Sequence, residues 1–341
     1  MKILITGGSG FVGSNIAIYL KKNLKGAKIY SLDNLSRKGS SLNNKRLLKF
    51  KITNFKINIE NFNAITSLPK FNLVIDCCAE PAIEASDKNP DKVFNTNLVG
   101  TYNILKKCIK DKSNIIFLSS SRVYSIEKLR KIINKRNINK PIRVKKLINE
   151  KFETFSASSL YGFTKLASEK LIKEMLFKKE FKFIINRFGV IAGPWQFGKQ
   201  DQGFVSLWVA KHFLRKKLSY IGFGGHGHQI RDVLHIDDVC EIIIKQIKKI
   251  KKINNLVFNI GGGRLNSISL LDLTNKCEKL TKSKIKIKRI PKTSKFDIPY
   301  YVSDNKKIFK FYKWKPSKNM DDILYDIYAW LKKFKYVRSF F

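Results

Sequence analysis

A tyrosine and a lysine that could cooperate in proton transfer lie four residues apart, at Tyr161 and Lys165. Residues with this spacing share one face of a helix. A neighbouring ammonium favours the phenolate, so Tyr161 could act as a base below the usual tyrosine pKa of about 10. The Y-x-x-x-K pattern is common, and a surface tyrosine and lysine on a helix would produce it equally well. Whether this pattern indicates catalysis therefore depends on the groups that the fold brings near it.

A cluster of serines supplies a second set of polar groups. Ser119, Ser120 and Ser121 follow directly on the apolar residues 114–118, which predict a buried strand. In open α/β sheets, ligands bind in the crevice at the carboxyl ends of the strands. We therefore expect a hydroxyl of this cluster to face the same site as Tyr161.

Three glycines indicate a nucleotide site near the start of the chain. Gly7, Gly10 and Gly13 lie between the apolar residues 2–6 and a predicted helix at residues 12–22. Such glycines permit a tight turn and let the backbone approach a pyrophosphate at the helix N-terminus. A glycine motif alone is weak evidence, but here a strand precedes it and a helix follows, which is the context that the motif requires.

An acidic residue at the end of the second predicted strand bears on the choice of dinucleotide. Asp33 follows the predicted strand at residues 28–32. A carboxylate at this place accepts hydrogen bonds from the adenosine ribose and repels a 2′-phosphate, which favours NAD over NADP. Arg37 and Lys38 lie nearby and weaken that preference.

Short apolar runs alternate with helical patterns along the chain and must position these groups. Strands are predicted at residues 2–6, 28–32, 73–77, 114–118, 181–187 and 256–260. A helical pattern covers residues 90–110. Strands that alternate with helices predict βαβ units, so we expect an α/β fold with a Rossmann-type, doubly wound parallel sheet and a smaller C-terminal domain.

Domain boundaries follow from where these patterns weaken. Residues 1–186 are predicted to form the dinucleotide-binding domain, with about 232–260 returning to it. Residues 187–231 and 261–335 are predicted to form the smaller, substrate-binding domain. The segment 126–156 is rich in Lys, Asn and Ile and predicts a surface insertion with one helix.

The formal net charge of +42 allows two interpretations. A nucleic-acid-binding protein would be basic, but so would a chain whose surface positions had drifted to lysine. The lysines are spread along the whole chain, and Ile and Asn are also abundant, so we expect no nucleic-acid partner. A positive field would still attract an anionic substrate.

Cysteine and histidine usage argues against metal or disulfide chemistry. The five cysteines include no C-x-x-C pair, so we expect reduced thiols. His226 and His228 lack a third ligand at a suitable spacing, so no metal site is expected. No uninterrupted apolar run reaches membrane-spanning length and no signal-peptide pattern is present, so we expect a cytoplasmic protein.

Four features in this order resemble one known family. They are the glycine motif, the segment from Asn97 to Thr101, the serines ahead of Val123 and Tyr124, and Y-x-x-x-K. Together they resemble the extended short-chain dehydrogenase/reductases, the NAD-dependent epimerase/dehydratase family, from the first strand to about residue 238. The resemblance implies NAD as cofactor and a nucleotide-diphosphate sugar as substrate. It also implies a homodimer or higher homo-oligomer built on residues 90–110 and 164–178.

The resemblance also implies roles for individual residues. The catalytic group is implied to be Ser120, Tyr161 and Lys165. The implied NAD-binding set is Gly7, Gly10, Phe11, Val12, Gly13, Asp33, Asn34, Asn58, Ile59, Ala79, Asn97, Tyr161 and Lys165. The candidate substrate-binding set is Ser121, Gln196, Gln202, Gly203 and Arg231. The Arg231 guanidinium matches phosphate geometry, although an ion pair with Asp232 or Asp238 is the alternative.

Finer features point within the family. The segment 33–40, Gln196-Phe197 and the segment 201–203 resemble the CDP-paratose 2-epimerases. Where the 4,6-dehydratases of the family carry Thr-Asp-Glu, this chain has Ser120 followed by Ser121 and Arg122. It therefore lacks the acid and base that eliminate water. Another difference is Asp76, which stands where the family often has histidine.

The resulting hypothesis is an NAD-dependent epimerase that oxidises a sugar carbon transiently and reduces it again on the other face. The first alternative is another nucleotide-sugar enzyme of the same family, a UDP-sugar 4-epimerase or a dehydrogenase. A more distant alternative is a non-catalytic protein that binds NAD or RNA.

Overall fold

A seven-stranded parallel sheet forms the centre of the protein. The computed structural model describes residues 1–81, 89–133, 143–144, 146–155, 159–177, 179–199 and 202–341. The strands of this sheet are β1 (Lys2–Thr6), β2 (Lys28–Leu32), β3 (Thr53–Phe55), β4 (Leu73–Asp76), β5 (Asn114–Ser120), β6 (Phe183–Phe188) and β10 (Leu256–Ile260). Their order is β10-β6-β5-β4-β1-β2-β3, and all neighbours run parallel. The predicted doubly wound α/β fold is confirmed.

Helices cover both faces of the sheet. The α-helices of the described residues, including those of the second lobe, are α1 (Phe11–Asn23), α2 (Ser40–Lys49), α3 (Phe62–Thr66), α4 (Pro90–Phe94), α5 (Gly100–Asp111), α6 (Ile126–Lys131), α7 (Leu160–Leu176), α8 (Phe204–Phe213), α9 (Ile236–Lys249), α10 (Leu270–Thr281), α11 (Lys306–Tyr312) and α12 (Met320–Lys333). One core cluster contains side chains of α1, α2, α9 and α11. The other contains side chains of α3, α5 and α7.

Strand β1 shows why three consecutive apolar residues, 3–5, fit a strand that has helices on both sides. Ile3 and Ile5 belong to the first of these clusters, whereas Leu4 belongs to the second. Successive side chains of a strand point to opposite faces, so a strand with helices on both sides must be apolar at every position. All three side chains are fully buried.

The predicted helix at residues 90–110 consists of three parts. Between α4 and α5 lies a π-helical turn, Asn95–Val99. The side chain of Asn89 caps α4 by accepting a hydrogen bond from the backbone N–H of Lys92, and Pro90 occupies the first turn. The interruption brings Asn97, whose side chain is buried, towards α7.

A second lobe contains two smaller sheets. In one, β11 (Ser267–Ser269), β9 (Ile230–His235) and β13 (Tyr300–Tyr301) lie side by side, and β7 (Val190–Ala192) also pairs with β9. In the other, β8 (Leu218–Ile221) pairs with β12 (Ile287–Ile290). Helices α8, α10 and α12 contribute to its core. After β9, the chain returns to the large sheet through α9 and β10, and the exact domain boundaries remain a prediction.

The segment 126–156 is more integrated than its composition predicts. It contains α6, as expected, but Ile126, Leu129 and Ile148 are buried in a cluster with Tyr124 and Tyr301. The prediction of a surface insertion is therefore wrong for these side chains, because their apolar groups have a core to enter. Residues 134–142, 145 and 156 lie outside the described residues.

Within the described part of the chain, every helix is too short or too polar to cross a bilayer.

Candidate active site

A cavity of about 520 Å³ opens at the carboxyl ends of the central strands and extends to the second lobe. The structure brings most of the predicted site residues to its wall. These are Gly7, Gly10, Phe11, Val12, Gly13, Ala79, Ser120, Ser121, Tyr161, Lys165, Gln196, Gln202, Gly203 and Arg231. The roles assigned to them individually remain predictions.

The glycine turn fits a dinucleotide pyrophosphate. Gly10 is the N-cap residue of α1, where no side chain caps the helix, and the first turn carries no acidic residue. The free N–H groups and the positive end of the helix dipole therefore favour an anion at this end. A Cβ atom on Gly13 would lie 2.3 Å from the Gly7 carbonyl oxygen, so the turn can close this tightly only with glycine.

Asp33 lies beside this turn, although it does not line the cavity. Its Oδ2 accepts a hydrogen bond of 3.0 Å from the backbone N–H of Ser9, and its Oδ1 accepts one of 2.8 Å from that of Leu35. Burial raises the pKa of Asp33, and these backbone hydrogen bonds oppose that rise. The carboxylate thus orders the glycine turn, and its contact with the adenosine ribose remains a prediction.

The hydroxyls of Ser120 and Tyr161 meet in the cavity. Ser120 ends β5, and Tyr161 is in the first turn of α7, which begins where the Ser159 side chain accepts a hydrogen bond from the N–H of Gly162. Burial raises the pKa of Tyr161, whereas a hydrogen bond with Ser120 lowers it, followed by the positive charges of Arg122 and Arg37. The two hydroxyls therefore interact on the cavity wall, and their acid/base role remains a prediction.

Lys165 lies one turn further along α7 and is almost fully buried. Its Nζ is 3.9 Å from the centre of the Phe117 ring. Burial lowers the pKa of Lys165, and the carboxylate of Asp76 is the main opposing influence. The cations that lower the tyrosine pKa in this structure are Arg122 and Arg37, so the expected effect of Lys165 on Tyr161 remains a prediction.

Asp76 is the carboxylate that most opposes the lowering of the Lys165 pKa by burial. It ends β4, is fully buried, and accepts hydrogen bonds from Thr6 and from the backbone N–H of Cys78. Its register partner on β5 is Phe117, whose ring contacts Lys165. An opposite charge nearby favours the charged form of the lysine, so Asp76 opposes part of the effect of desolvation on the ammonium. The unexpected carboxylate is therefore electrostatically matched to the lysine.

Arg231 projects from β9 towards the far end of the cavity. Its Nη2 donates to the Asp297 carboxylate at 3.1 Å and to the Ile298 carbonyl at 2.6 Å. The alternative of an ion pair with Asp232 or Asp238 is wrong. Asp232 instead accepts backbone N–H groups of the second lobe, and the Asp238 carboxylate accepts hydrogen bonds from residues 317–318. A guanidinium that remains on the cavity wall stays available to phosphate.

Arg37 connects the dinucleotide side of the cavity to the substrate side. Its Nη1 lies 2.7 Å from a carboxylate oxygen of Glu80, and its Nη2 donates to Gln202 Oε1 at 2.6 Å. Gln196 is also engaged, because its Oε1 accepts a hydrogen bond from Ser206. The two glutamines line the cavity as predicted, and here they have protein partners. Their predicted neighbour Asp201 lies outside the described residues.

Five predicted NAD-binding residues, with Asp33 among them, do not line this cavity in the described structure. Asn34 and Asn58 accept backbone hydrogen bonds within their own turns. Ile59 is buried against Gly100 in the core. The Asn97 side chain donates a hydrogen bond to the Thr164 hydroxyl and accepts one from the backbone N–H of Glu80. It thus connects α7 to the loop after β4.

Sequence reasoning did not assign site roles to Arg122, Asp297, Glu80 and Asp76. Arg122 carries a usable signal, since it directly follows the serine cluster at the end of a predicted strand. Asp297 and Glu80 have no local signal, because their partners are 66 and 43 residues away, respectively.

Comparison with known proteins identifies the family. Residues 3–261 match the model of the NAD dependent epimerase/dehydratase family. The chain belongs to this family, and it is an NAD-dependent nucleotide-sugar enzyme.

One curated relative agrees with this assignment, and two solved structures share the fold. The chain is 30% identical to the CDP-paratose 2-epimerase of Salmonella typhi, over 97% of this chain and 99% of the relative. Among solved structures, the UDP-glucose 4-epimerase of Thermotoga maritima has a TM-score of 0.82 at 24% identity, covering 98% of this chain and 99% of the other. The Bacillus cereus UDP-glucuronic acid 4-epimerase, in complex with a fluorinated UDP-sugar and NAD, gives the same TM-score, identity and coverage.

Proposed function

We propose that the protein is an isomerase, an NAD-dependent nucleotide-sugar epimerase of the CDP-paratose 2-epimerase type. The observation that carries the proposal is the hydrogen-bonded pair of Ser120 and Tyr161 in a cavity that runs from the glycine turn to Arg231. Such a cavity offers a dinucleotide site at one end and an anion-binding guanidinium at the other, with an acid/base group between them. Similarity to the Salmonella enzyme over nearly the whole of both chains supports the choice of sugar nucleotide.

The side chains of the site divide the proton chemistry among them. Tyr161 in its phenolate form takes the proton of a sugar hydroxyl, and Ser120 donates a hydrogen bond to the same oxygen. Lys165, held beside Asp76, contributes positive charge at the nicotinamide end of the site. Bound NAD supplies a reversible acceptor for the hydride that leaves the sugar carbon.

Epimerisation then requires that the keto sugar turn within the cavity before it is reduced on its other face. Arg231 holds the diphosphate, so the nucleotide remains in place while the sugar rotates. Tyr161 returns the proton to the carbonyl oxygen as the hydride comes back. In an enzyme of the CDP-paratose type, the carbon concerned is C2.

A panel of CDP-, UDP-, GDP- and dTDP-sugars tests this function. We expect one CDP-sugar to be converted to its C2 epimer, with deuterium placed at C2 retained in the product, because the hydride returns without exchange with solvent. Tyr161→Phe should lower kcat at least about 100-fold, since general acid/base catalysis contributes about this much. Tyr325→Phe, at an exposed tyrosine outside the cavity lining, should leave kcat unchanged.

Other outcomes would favour the alternatives. A C4 epimer from a UDP-sugar would indicate the related 4-epimerase. NADH formed stoichiometrically with product would contradict epimerisation and indicate a dehydrogenase. If none of these sugars reacts and the cellular role survives Tyr161→Phe, a non-catalytic binding role would be correct.

A further inference from the structure

The described wall of the cavity carries four basic side chains and one acidic side chain. Among the described residues that line it, the basic ones are Arg37, Lys165, Arg122 and Arg231, and the acidic one is Asp297. The first two have carboxylate partners outside the lining. Arg37 pairs with Glu80, and Lys165 lies near Asp76.

Arg122 and Arg231 share the remaining carboxylate. Both contact the same stretch of chain, since Arg122 Nη1 donates to the Phe296 carbonyl at 3.1 Å and Arg231 Nη2 donates to the Asp297 carboxylate. The charge of Asp297 acts on both guanidinium groups, which also repel each other. Asp232 also acts on Arg231, but it does not line the cavity, so the wall itself presents two guanidinium groups and one carboxylate here. Such a surface favours an anionic ligand.

Arg122 lies between Arg231 on one side and the hydroxyls of Ser120 and Tyr161 on the other. It belongs to the short 3-10 turn Ser121–Val123 that directly follows β5, and its backbone N–H donates to the Ser120 hydroxyl at 3.1 Å. Its charge acts on Tyr161 at one side and on Arg231 at the other. An anion held by both arginines would therefore lie near the sugar that Tyr161 deprotonates.

We propose that Arg122 binds the phosphate of the nucleotide-sugar that is nearest the sugar, and that Arg231 binds the same diphosphate from the other side. This inference rests on the proposed function and adds a substrate-binding residue to it. A guanidinium presents several N–H donors in a fixed plane and matches phosphate oxygens in two-point contacts. The short turn that holds Arg122 next to Ser120 would thus set the distance between the phosphate and the reacting carbon.

A nucleotide-binding measurement isolates this contact. NAD-loaded protein is titrated calorimetrically with CDP and CMP, and with UDP and UMP, and the preference for diphosphate over monophosphate is calculated. In Arg122→Met this preference should fall about tenfold or more, because a charge-assisted contact to the outer phosphate is lost. Arg122→Lys, which keeps the charge, should recover part of it.

A second readout comes from the tyrosine. Since the charge of Arg122 lowers the pKa of Tyr161, Arg122→Met should move the rising limb of the activity–pH profile to higher pH. A merely structural role for Arg122 would not move this limb.

Arg130→Met is the matched control. The Arg130 guanidinium donates to carbonyls of the same loop, those of Ser294, Lys295 and Asp297, but it does not line the cavity. This variant removes a comparable anchor of the loop and should keep both the diphosphate preference and the pH profile.

The outcomes separate the inference from the function on which it rests. If wild type prefers the diphosphate and epimerises a sugar, but Arg122→Met keeps the full preference, the role of Arg122 is refuted and the function stands. If wild type neither binds these diphosphates nor converts any sugar, both are refuted together.

Discussion

At the scale of single residues, the charge states of the site depend on neighbouring groups that oppose the effect of burial on each pKa. Burial raises the pKa of Tyr161 and lowers that of Lys165, so both changes favour the neutral form of the side chain. Each residue has local partners that act in the opposite direction. Ser120 and Arg122 stabilise the phenolate, and Asp76 stabilises the ammonium. Removing a partner should therefore change the pH range in which the side chain is charged, as well as how the substrate is held.

Activity should depend on pH with a definite sign. A raised tyrosine pKa means that the phenol predominates near neutral pH and that the base fraction grows as pH increases. We expect kcat/KM for the sugar to rise between about pH 7 and about pH 9 in wild type. A profile that falls over this range, measured with stability checked at each pH, would contradict Tyr161 as the base.

A buried ion pair beneath the site should be important for stability. Glu169 on α7 accepts hydrogen bonds from Arg187 on β6 and from Ser119 on β5, and both members of the pair are buried. Glu169→Gln leaves the Arg187 charge uncompensated, so the free energy of unfolding should fall by about 3 kcal/mol or more. Urea denaturation measures this loss. Glu174→Gln, at an exposed position on the same helix, should change it by less than about 0.5 kcal/mol.

At the scale of elements, helix α1 must approach the glycine turn closely enough to present its N–H groups. The spaces that remain there are too small for a side chain, most of all at Gly13. Packing of the helix against strand β1 and exposure of its N-terminus to the cavity therefore depend on the same residues.

Substitution of these glycines should have graded effects. A Cβ on Gly13 would meet three backbone atoms of the turn at 2.3 to 2.9 Å, whereas one on Gly10 would meet a single carbonyl oxygen at 3.0 Å. Gly13→Ala should therefore lose more bound NAD and more stability than Gly10→Ala. NAD released on denaturation and urea unfolding measure the two effects, and Lys21→Ala on the exposed side of α1 is the control. Equal effects at both glycines would contradict the steric argument.

Helices α4, α5 and α7 present apolar groups to solvent in the single chain. The aromatic side chains of Phe94, Tyr102 and Phe163 are 42%, 42% and 53% exposed. If the predicted homodimer forms through these helices, Phe163→Glu should convert it to a monomer in size-exclusion chromatography with light scattering. Phe309→Glu, at a comparably exposed phenylalanine on α11, should leave the mass unchanged. A wild-type monomer would refute the predicted dimer.

At the scale of the whole molecule, the net charge of +42 acts on any anionic substrate. Surface charges attract such a ligand over distances that salt shortens, because the Debye length falls from about 10 Å at 0.1 M to about 3 Å at 1 M. The field should therefore assist capture more than chemistry.

Salt dependence separates these two contributions. Raising NaCl from about 50 mM to about 500 mM should lower kcat/KM several-fold and leave kcat within about twofold. Sucrose at matched osmolality is the control. A loss confined to kcat would show that the charge does not assist substrate capture.

Features of the protein that depend on residues close together in the sequence could be predicted from the sequence. The strand ends, the glycine turn and the four-residue spacing of Tyr161 and Lys165 depend on neighbours in the chain, because periodicity and turn geometry act over a few residues. The resemblance to the family then connected these pieces and correctly indicated NAD.

The sequence alone determined the parallel α/β fold and the residues available for acid/base chemistry. Only the tertiary structure decided their electrostatic partners: Asp297 beside Arg231, Glu80 and Gln202 around Arg37, and Asp76 with Lys165. Burial and Coulomb interactions act through space and depend steeply on distance in a medium of low dielectric constant. Residues far apart in the chain can therefore decide a charge state that no local pattern records.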